Sequence, residues 1–294
     1  MGDPGTTAGA PGPTTAPGAT EPTTAPGTVA HLRIYRRFVR ARIRADWQYR
    51  ASFFLFLAGQ TLVAGADLAA IAVIFTAVDD LVGWSGPEVA FLFGASGLSF
   101  GLCDLIISPV EHVGVHIKAG SFDTFLVRPV GALWQLLAHD FALRRIGRLL
   151  QPAIVLVVSL RLVEVDWGPA AALLVVLTVV CGAVIYGAVF VVTSSLAFWT
   201  VETQEIANAF TYGGNVTTSY PIDVLGTWLR RITTFVVPLA SITYLPAAWL
   251  FDHPLPSGLP RAAAWSGPLV AAAAALVARA VWALAVRHYR STGS

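Results

Sequence analysis

His112 and His116 are four residues apart, a spacing that would place two metal ligands on one face of a helix. Glu111 stands next to His112 and could add a carboxylate. The same three residues are also typical of the polar end of a helix at an interface, and we favour that interpretation. We therefore predict that this chain binds no metal and no other cofactor.

The familiar motifs for nucleotide or hydrolytic chemistry are absent. The one lysine, Lys118, follows His116 and Ile117 rather than a glycine-rich loop, so the chain has no phosphate-cradling motif. HExxH, paired CxxC and GxSxG patterns do not occur, and Cys103 and Cys181 lie in apolar runs where a core role is expected. An intramembrane enzyme is disfavoured because no nucleophile–base pair is present.

Four ionisable residues fall inside or close to apolar segments: Asp67, Asp104, Glu111 and Arg279. A charge buried in a bilayer is costly and is often functional. Arg279 could pair with Asp67 or Asp104 across helices, and we favour such a structural ion pair. The alternative is a stand-alone proton-coupled secondary transporter that uses Asp67, Asp104 and Arg279. Against it, the sequence shows no internal repeat and no interrupted spans in corresponding positions of two halves.

The composition indicates a membrane protein. The chain is 55% hydrophobic and only 12% charged, with a mean hydropathy of +0.67. Soluble domains carry about 25% charged residues. A chain with so little charge cannot cover a water-facing surface, so lipid must face much of it. We predict an all-α integral membrane protein.

Six apolar segments predict six transmembrane helices: 51–78, 89–110, 147–162, 169–199, 232–251 and 268–286. The third is short for the roughly 20 residues that a crossing needs. Ser85 and Glu88 have the spacing of a capping box before the second segment. Polar residues over 202–228 do not fit a span, and we place them at the cytoplasmic interface or along a polar cavity.

Three glycines in the second segment, Gly94, Gly97 and Gly101, follow a small-residue pattern that permits close packing between membrane helices. The partner helix could belong to the same subunit or to a neighbouring one.

The chain divides into three parts. Residues 1–29 are rich in Thr, Pro, Ala and Gly and cannot bury apolar surface, so we predict disorder. Residues 30–50 combine apolar positions at helical spacing with seven arginines, which predicts an amphipathic helix on the membrane surface. Residues 51–290 form the six-helix transmembrane domain.

The distribution of basic residues predicts the orientation. Sixteen of the nineteen basic residues precede the first span, follow the sixth, or lie in the connections between spans two and three and between four and five. Arg230 and Arg231 belong to the last of these groups. The positive-inside rule makes that face cytoplasmic. Both termini are then cytoplasmic, in a multi-pass protein of the inner or plasma membrane.

A polar loop, Ile117 to Gln135, separates the second and third spans and ends near basic residues. Such a loop in a bilayer protein is typical of a site that a soluble partner grips. Its core, GSFDTFLVRP over 120–129, resembles the G-x-(L/F)-D-x-x-L-x-R-P segment of ABC-2 family permeases, the membrane subunits of type 2 ABC exporters.

A second block is similar to one branch of the same family. It comprises SYPID at 219–223, WLRR at 228–231, TFVVPLA at 234–240 and YLPA at 244–247. Both blocks occur in the family's order, and the resemblance covers about residues 31–290.

The resemblance implies a half-transporter that dimerises with itself or with a sister permease. A separate ABC ATPase subunit, which carries ATP and Mg, would bind the cytoplasmic side, while membrane lipids surround the spans and no nucleic-acid partner is expected. The loop would form a coupling helix that transmits ATPase closure. In it Gly120 would turn the backbone, Phe122 would anchor the partner, Asp123 and Arg128 would set the orientation, and Pro129 would end the helix.

Overall fold

The structure is a computed structural model, and it describes residues 50–127, 131–139, 144–200, 204–236, 238–255 and 259–289. These residues form helices and connecting turns without a β-strand, so the predicted all-α class is confirmed for them. The predicted tail over 1–29 lies outside the described residues, as does the predicted amphipathic helix over 30–50 apart from its last residue.

The α-helices of the described residues are α1 (Arg50–Ala77), α2 (Gly86–Ile107), α3 (Val113–Lys118), α4 (Asp123–Leu126), α5 (Ala132–His139), α6 (Arg144–Arg148), α7 (Leu150–Leu162), α8 (Pro169–Ser195), α9 (Gln204–Thr218), α10 (Thr227–Arg231), α11 (Tyr244–Leu250) and α12 (Gly267–His288). Short 3-10 turns occupy Ser108–His112, Leu196–Phe198, Ile222–Val224, Leu239–Ser241 and Arg261–Ser266, and a π-helical turn covers Ile232–Val236.

Four helical stretches of the described residues are long and apolar enough to cross a membrane: Ala51–Ala77, Gly86–Lys118, Pro169–Phe198 and Arg261–His288. They match the first, second, fourth and sixth predicted spans. The third predicted span forms α6 and α7, which separate at Leu149. Helix α7 has 13 residues, so it is only ~20 Å long by itself.

The prediction of one helix over 232–251 is wrong. This region contains the π-helical turn Ile232–Val236, the 3-10 turn Leu239–Ser241 and the short helix α11. Pro238 stands between the two turns, and proline removes a backbone donor and clashes with the preceding helical turn. We refer to the larger segment 222–253 as the hairpin, because its two ends lie together.

Helix α2 lies at the centre of the bundle and runs antiparallel to α7. Its Gly94 approaches Leu156, and one further turn along, Gly97 approaches Pro152. Residues 78–85, which join α1 to α2, therefore mark one end of the bundle, called here the Trp84 end. The turn after α3 marks the opposite end, called the Gly120 end.

Helix α8 packs on α2 in the parallel direction. Gly182 lies against Ser99, and Gly187 lies against Ile107 further toward the Gly120 end. Helix α12 follows α8 in the same direction, and the two pack along most of their shared length. Small residues at these positions let the backbones approach closely, which is how helices associate in lipid.

The connection at the Trp84 end is held by short-range hydrogen bonds. An Asp80 carboxylate oxygen accepts from the backbone N–H of Gly83 at 2.7 Å, and Gly83 has a φ of +85°, a conformation that favours glycine. The Glu88 carboxylate accepts from the backbone N–H of Ser85 at 2.7 Å. The capping box predicted at the start of α2 is therefore confirmed.

The hairpin enters and leaves the bundle at the Trp84 end. Ile222 belongs to the same buried cluster as Trp84, and the ring of His253 stacks on Trp84 with centroids 4.2 Å apart. Between these ends the chain turns inside the bundle, where Leu239 lies beside Gly214 of α9. The hairpin therefore dips into the bundle and returns to the end from which it started.

The contacts of Arg230 show that the prediction of its position, at the same end of the bundle as the other basic residues, is wrong. Arg230 pairs with Asp223 at 3.6 Å, and the Tyr244 hydroxyl donates to Asp223 at 2.6 Å. The Tyr244 ring lies 5.4 Å from Trp84. Arg230 therefore lies at the Trp84 end, opposite the end that basic-residue counting assigned to it.

Labelling would test this arrangement. A cysteine at Gly226, an exposed position, is expected to react with an impermeant thiol reagent from the same side as a cysteine at Asp80. A cysteine at Ala119 should react only from the other side, in inverted vesicles. The native Cys103 and Cys181 are buried and give little background. Reaction of the Gly226 and Ala119 cysteines from one side would contradict the hairpin.

Candidate functional site

The predicted coupling loop continues directly from α2. The 3-10 turn Ser108–His112 leads into α3, and Gly120 then reverses the chain with a φ of +65°. The backbone N–H of Gly120 donates to Ile117 at 3.1 Å, and that of Phe122 donates to His116 at 3.1 Å. These bonds fix the turn between α3 and α4, so the loop has a defined shape.

Phe122 faces the interior of the subunit. Its side chain is fully buried, and its ring lies 5.2 Å from Phe198 and 5.0 Å from Tyr289, both measured between centroids. Phe125, one helical turn further, is buried in the same cluster. The interpretation of Phe122 as an anchor for a partner is therefore corrected: it fastens the loop to the ends of α8 and α12.

The exposed side of α4 is apolar and lies at the tip of the loop, away from its buried base. Leu126 is 44% exposed and Val127 is 85% exposed, while Thr124 and Lys118 flank them on the surface. We call these four residues the α4 surface. Asp123 begins α4 and is half-buried. Arg128 and Pro129, the remaining predicted coupling residues, lie outside the described residues.

Hydrogen bonds hold the base of the α4 surface. The Thr124 hydroxyl donates to the Ser121 carbonyl at 2.7 Å, and the Gln135 amide of α5 donates to the Phe125 carbonyl at 2.8 Å. The His116 ring nitrogen Nδ1 lies 3.0 Å from the Ser121 hydroxyl. His116 therefore helps to shape the turn. Among the described residues no group of three or more His, Cys, Asp or Glu side chains could hold a metal ion.

The intramembrane charges have partners other than those predicted. Asp104 is buried and pairs with Arg148 of α6 at 3.2 Å, while the Asp67 carboxylate accepts a hydrogen bond from the Gln151 amide of α7. Arg279 lines a different cleft, between α2, α5, α8 and α12. The suggested pairs of Arg279 with Asp67 or Asp104 are therefore not formed. The three residues also do not make one cluster that could relay protons.

A polar cavity of about 400 Å³ lies between α1, α2, α7 and α9. The Asp104–Arg148 pair lies on its wall, and α9 contributes Tyr212 and Asn215. Gln60 of α1 and Gln151 of α7 add further amides, and apolar side chains of α1 and α2 form much of the remaining lining. Charged, amide and phenol groups therefore meet a cavity between these helices, and ionisable residues at membrane depth commonly mark the pathway of a substrate or an ion.

A buried hydroxyl cluster joins three helices beside this cavity. The Ser96 hydroxyl of α2 lies 2.6 Å from the Thr218 hydroxyl of α9 and 3.0 Å from the Tyr186 hydroxyl of α8. The Asn215 amide donates to Ser96 at 3.1 Å. The Thr243 hydroxyl connects the hairpin to this cluster by donating a hydrogen bond to the Thr218 carbonyl at 2.7 Å. Buried polar groups that satisfy one another in this way fix the arrangement of their helices.

Sequence reasoning missed this cluster, although a signal was present. Thr211, Asn215 and Thr218 recur at intervals of four and three, the spacing of one helix face. Residues 202–228 were predicted to lie at the cytoplasmic interface or along a polar cavity. Gln204–Thr218 forms a helix that packs against α2 and α8, and its residues Tyr212 and Asn215 line the cavity, as the second alternative predicted.

Two glycines of α2, Gly94 and Gly97, face α7 of the same subunit, and Gly101 faces Leu149 just before α7. A Cβ atom on Gly94 would lie 2.6 Å from the backbone nitrogen of Leu156, and one on Gly97 would lie 2.9 Å from Pro152. A Cβ on Gly101 would lie 2.7 Å from the end of the Leu149 side chain. The space between α2 and α7 is therefore too narrow for a side chain at the first of these positions.

Comparison of the sequence with models of known protein families identifies the family of this chain. The sequence model of the family described as "ABC-2 family transporter protein" matches residues 61–293, most of the chain. No curated protein and no solved structure gives a significant match. The matched region contains the loop over 117–135, the hairpin and most of the residues that line the polar cavity. The chain belongs to the ABC-2 family of transporter proteins.

Proposed function

We propose that this chain is the permease subunit of an ATP-driven exporter in the cell membrane, and that a separate ABC ATPase drives it. The observation that carries the proposal is the α4 surface. It exposes Leu126 and Val127 at the tip of a loop whose base is buried against α8 and α12. An exposed apolar tip on a rigid base suits a partner that must push on the bundle.

The loop has a mechanical route into the membrane domain. The span Gly86–Lys118 runs almost without interruption from the Trp84 end to the Gly120 end. Force on α4 would pass through the buried Phe122 to α8 and α12, and through α3 to α2. The hydroxyl cluster at Ser96 would then carry a movement of α2 to α9 and the hairpin. Small shifts at one site can be amplified in this way by packed elements with two arrangements.

The proposal includes six membrane crossings, with the fifth placed differently from the prediction. Helix α9 has 15 residues and is roughly 22 Å long, and the chain reaches the Trp84 end at Ile222. We infer that 204–225 is the fifth crossing and that the hairpin is a re-entrant segment between the fifth and sixth. This keeps both termini on one side, which the basic residues before α1 and after α12 make cytoplasmic.

We infer that two permeases form the transport path. Only 11% of the most apolar 18-residue stretch of α1 is buried, so most of this helix can contact lipid or a second subunit. The polar cavity lies between α1 and α9, beside this uncovered helix. A second copy or a sister permease at α1 would enclose the polar cavity and shield its charges from lipid.

Exchange of Val127 for aspartate tests the ATPase contact. The Val127→Asp chain should insert and fold normally, because this side chain is 85% exposed. Its affinity for the co-expressed ATPase should fall about thirtyfold, since the loss of one anchor costs at least ~2 kcal/mol of binding free energy. The measurement is a titrated pull-down from membranes that contain both proteins.

The matched control is Val78→Asp, the same exchange at an exposed position at the Trp84 end. It should leave ATPase capture unchanged. Equal capture by wild type and Val127→Asp, with ATP-dependent export intact, would remove the α4 surface from the mechanism.

A further inference from the structure

A cleft on the outside of the bundle holds a positive charge that lacks an acidic partner in the described structure. The cleft has a volume of about 840 Å³ and lies between α2, α5, α8 and α12. Arg279 of α12 is the one charged side chain among its described lining residues, and it is exposed. The carboxylates of Asp104, Asp223, Glu88 and Asp252 pair with other residues: Arg148, Arg230, His253 and Arg261.

The depth of Arg279 in the membrane makes a positive charge without an acidic partner energetically costly. It lies within the crossing helix Arg261–His288, and nine residues separate it from the end of that helix. At 1.5 Å per residue it is roughly 14 Å from the end. A guanidinium at such a depth requires an anion or a water-filled defect, since lipid tails cannot solvate it.

The walls of the cleft match the rest of a lipid molecule. Ala183 and Val184 of α8 form an apolar side, and small residues of α12 leave room beside it. Trp134 of α5 is 52% exposed at the cleft, and Trp282 forms part of its wall. Tryptophan prefers the headgroup level of a bilayer. The cleft thus combines an acyl-chain groove, an aromatic rim and a cation.

We propose that this cleft binds an anionic phospholipid of the leaflet at the Gly120 end. The lipid phosphate accepts charge-assisted, bidentate hydrogen bonds from the Arg279 guanidinium, and an acyl chain lies along α8 and α12. Basic pockets between membrane helices commonly take such headgroups. A lipid is favoured over a soluble phosphate because most of the lining is apolar and belongs to helices long and apolar enough to cross a membrane. This binding does not depend on the proposed transport function.

Competition between lipids provides the test. The purified full chain is placed in mixed micelles with equal amounts of dioleoyl phosphatidylglycerol and dioleoyl phosphatidylcholine, and bound lipid is counted by native mass spectrometry. Wild type should retain phosphatidylglycerol preferentially. Arg279→Gln should lower this preference about tenfold, equivalent to ~1.4 kcal/mol. Arg287→Gln is the matched control, because it removes the same charge from an exposed position of the same helix outside the cleft.

Two further arms separate the remaining explanations. Ala275→Leu narrows the cleft without changing charge, and it should also lower lipid retention even if Arg279→Gln fails to insert. Millimolar inorganic phosphate should not displace the lipid. Equal loss in Arg279→Gln and Arg287→Gln, unchanged retention in Arg279→Gln, or unchanged retention in Ala275→Leu would overturn the proposal. Displacement by inorganic phosphate would assign the site to a soluble anion instead.

Discussion

Phe122→Ala is expected to lower the stability of the membrane domain by about 3–5 kcal/mol, the usual cost of removing a buried phenylalanine side chain. The ring fills a fully buried site between Phe198 and Tyr289, where the surrounding aromatic side chains cannot collapse into the space that it leaves. Thermal unfolding of the purified chain, followed by tryptophan fluorescence, measures the effect.

The matched control for Phe122→Ala is Phe54→Ala on α1, where the side chain is 56% exposed. This control should change stability little, because surface substitutions usually stay within ±0.5 kcal/mol. ATPase capture should fall in Phe122→Ala as well, since the loop loses its attachment. If Phe122→Ala kept full stability and lost only ATPase capture, the residue would contact the partner directly, and the internal packing would be contradicted.

Gly94→Ala is expected to force α2 and α7 apart. The new Cβ would lie 2.6 Å from the Leu156 backbone nitrogen and 2.8 Å from its Cα, and backbone atoms cannot rotate away. We expect a loss of about 3 kcal/mol, at the upper end of the usual range for overpacked cores. Thermal unfolding measures the effect, and trimming the Leu156 side chain should not rescue it.

Two further glycine-to-alanine substitutions provide controls for the stability change expected from Gly94→Ala. Gly101→Ala should cost less, because its Cβ would meet the flexible end of the Leu149 side chain. Gly59→Ala on α1 should be neutral or stabilise by up to ~1 kcal/mol, since nothing lies within 4 Å and alanine favours helix over glycine. Equal stability of the Gly94 and Gly59 variants would show that α2 and α7 do not approach as closely as described.

Local patterns in the sequence determined the class of protein and the family. Hydropathy over about 20 residues reports whether a segment can face lipid, and four of the six predicted spans are long helices in the described residues. The capping box at Ser85 and Glu88 is a short-range signal, because its groups lie within one turn of each other. The glycine spacing in α2 likewise predicted close packing, although it did not identify α7 as the partner.

The tertiary structure decided which way the functional side chains point. Phe122 looks like an exposed anchor in a polar loop, yet Phe198 and Tyr289, more than 70 residues away in sequence, bury it. The partners of Asp67 and Asp104 likewise come from α6 and α7 and not from Arg279. Pairings between distant residues leave no periodic trace in one sequence, because each requires that two separate elements first be placed side by side.

The region from residue 202 to 251 shows most clearly the difference between what the sequence predicts and what the tertiary structure decides. Its polar residues and Pro221 argued against an ordinary span over 202–228, and its apolar run argued for one over 232–251. In the fold Gln204–Thr218 is a helix inside the bundle, where Asn215 and Thr218 satisfy their hydrogen bonds with Ser96 on α2, and 232–251 is broken into short turns and a short helix. Hydropathy measures transfer of a segment to lipid alone, whereas a polar helix inside a bundle is stabilised by partners that only the tertiary structure brings to it.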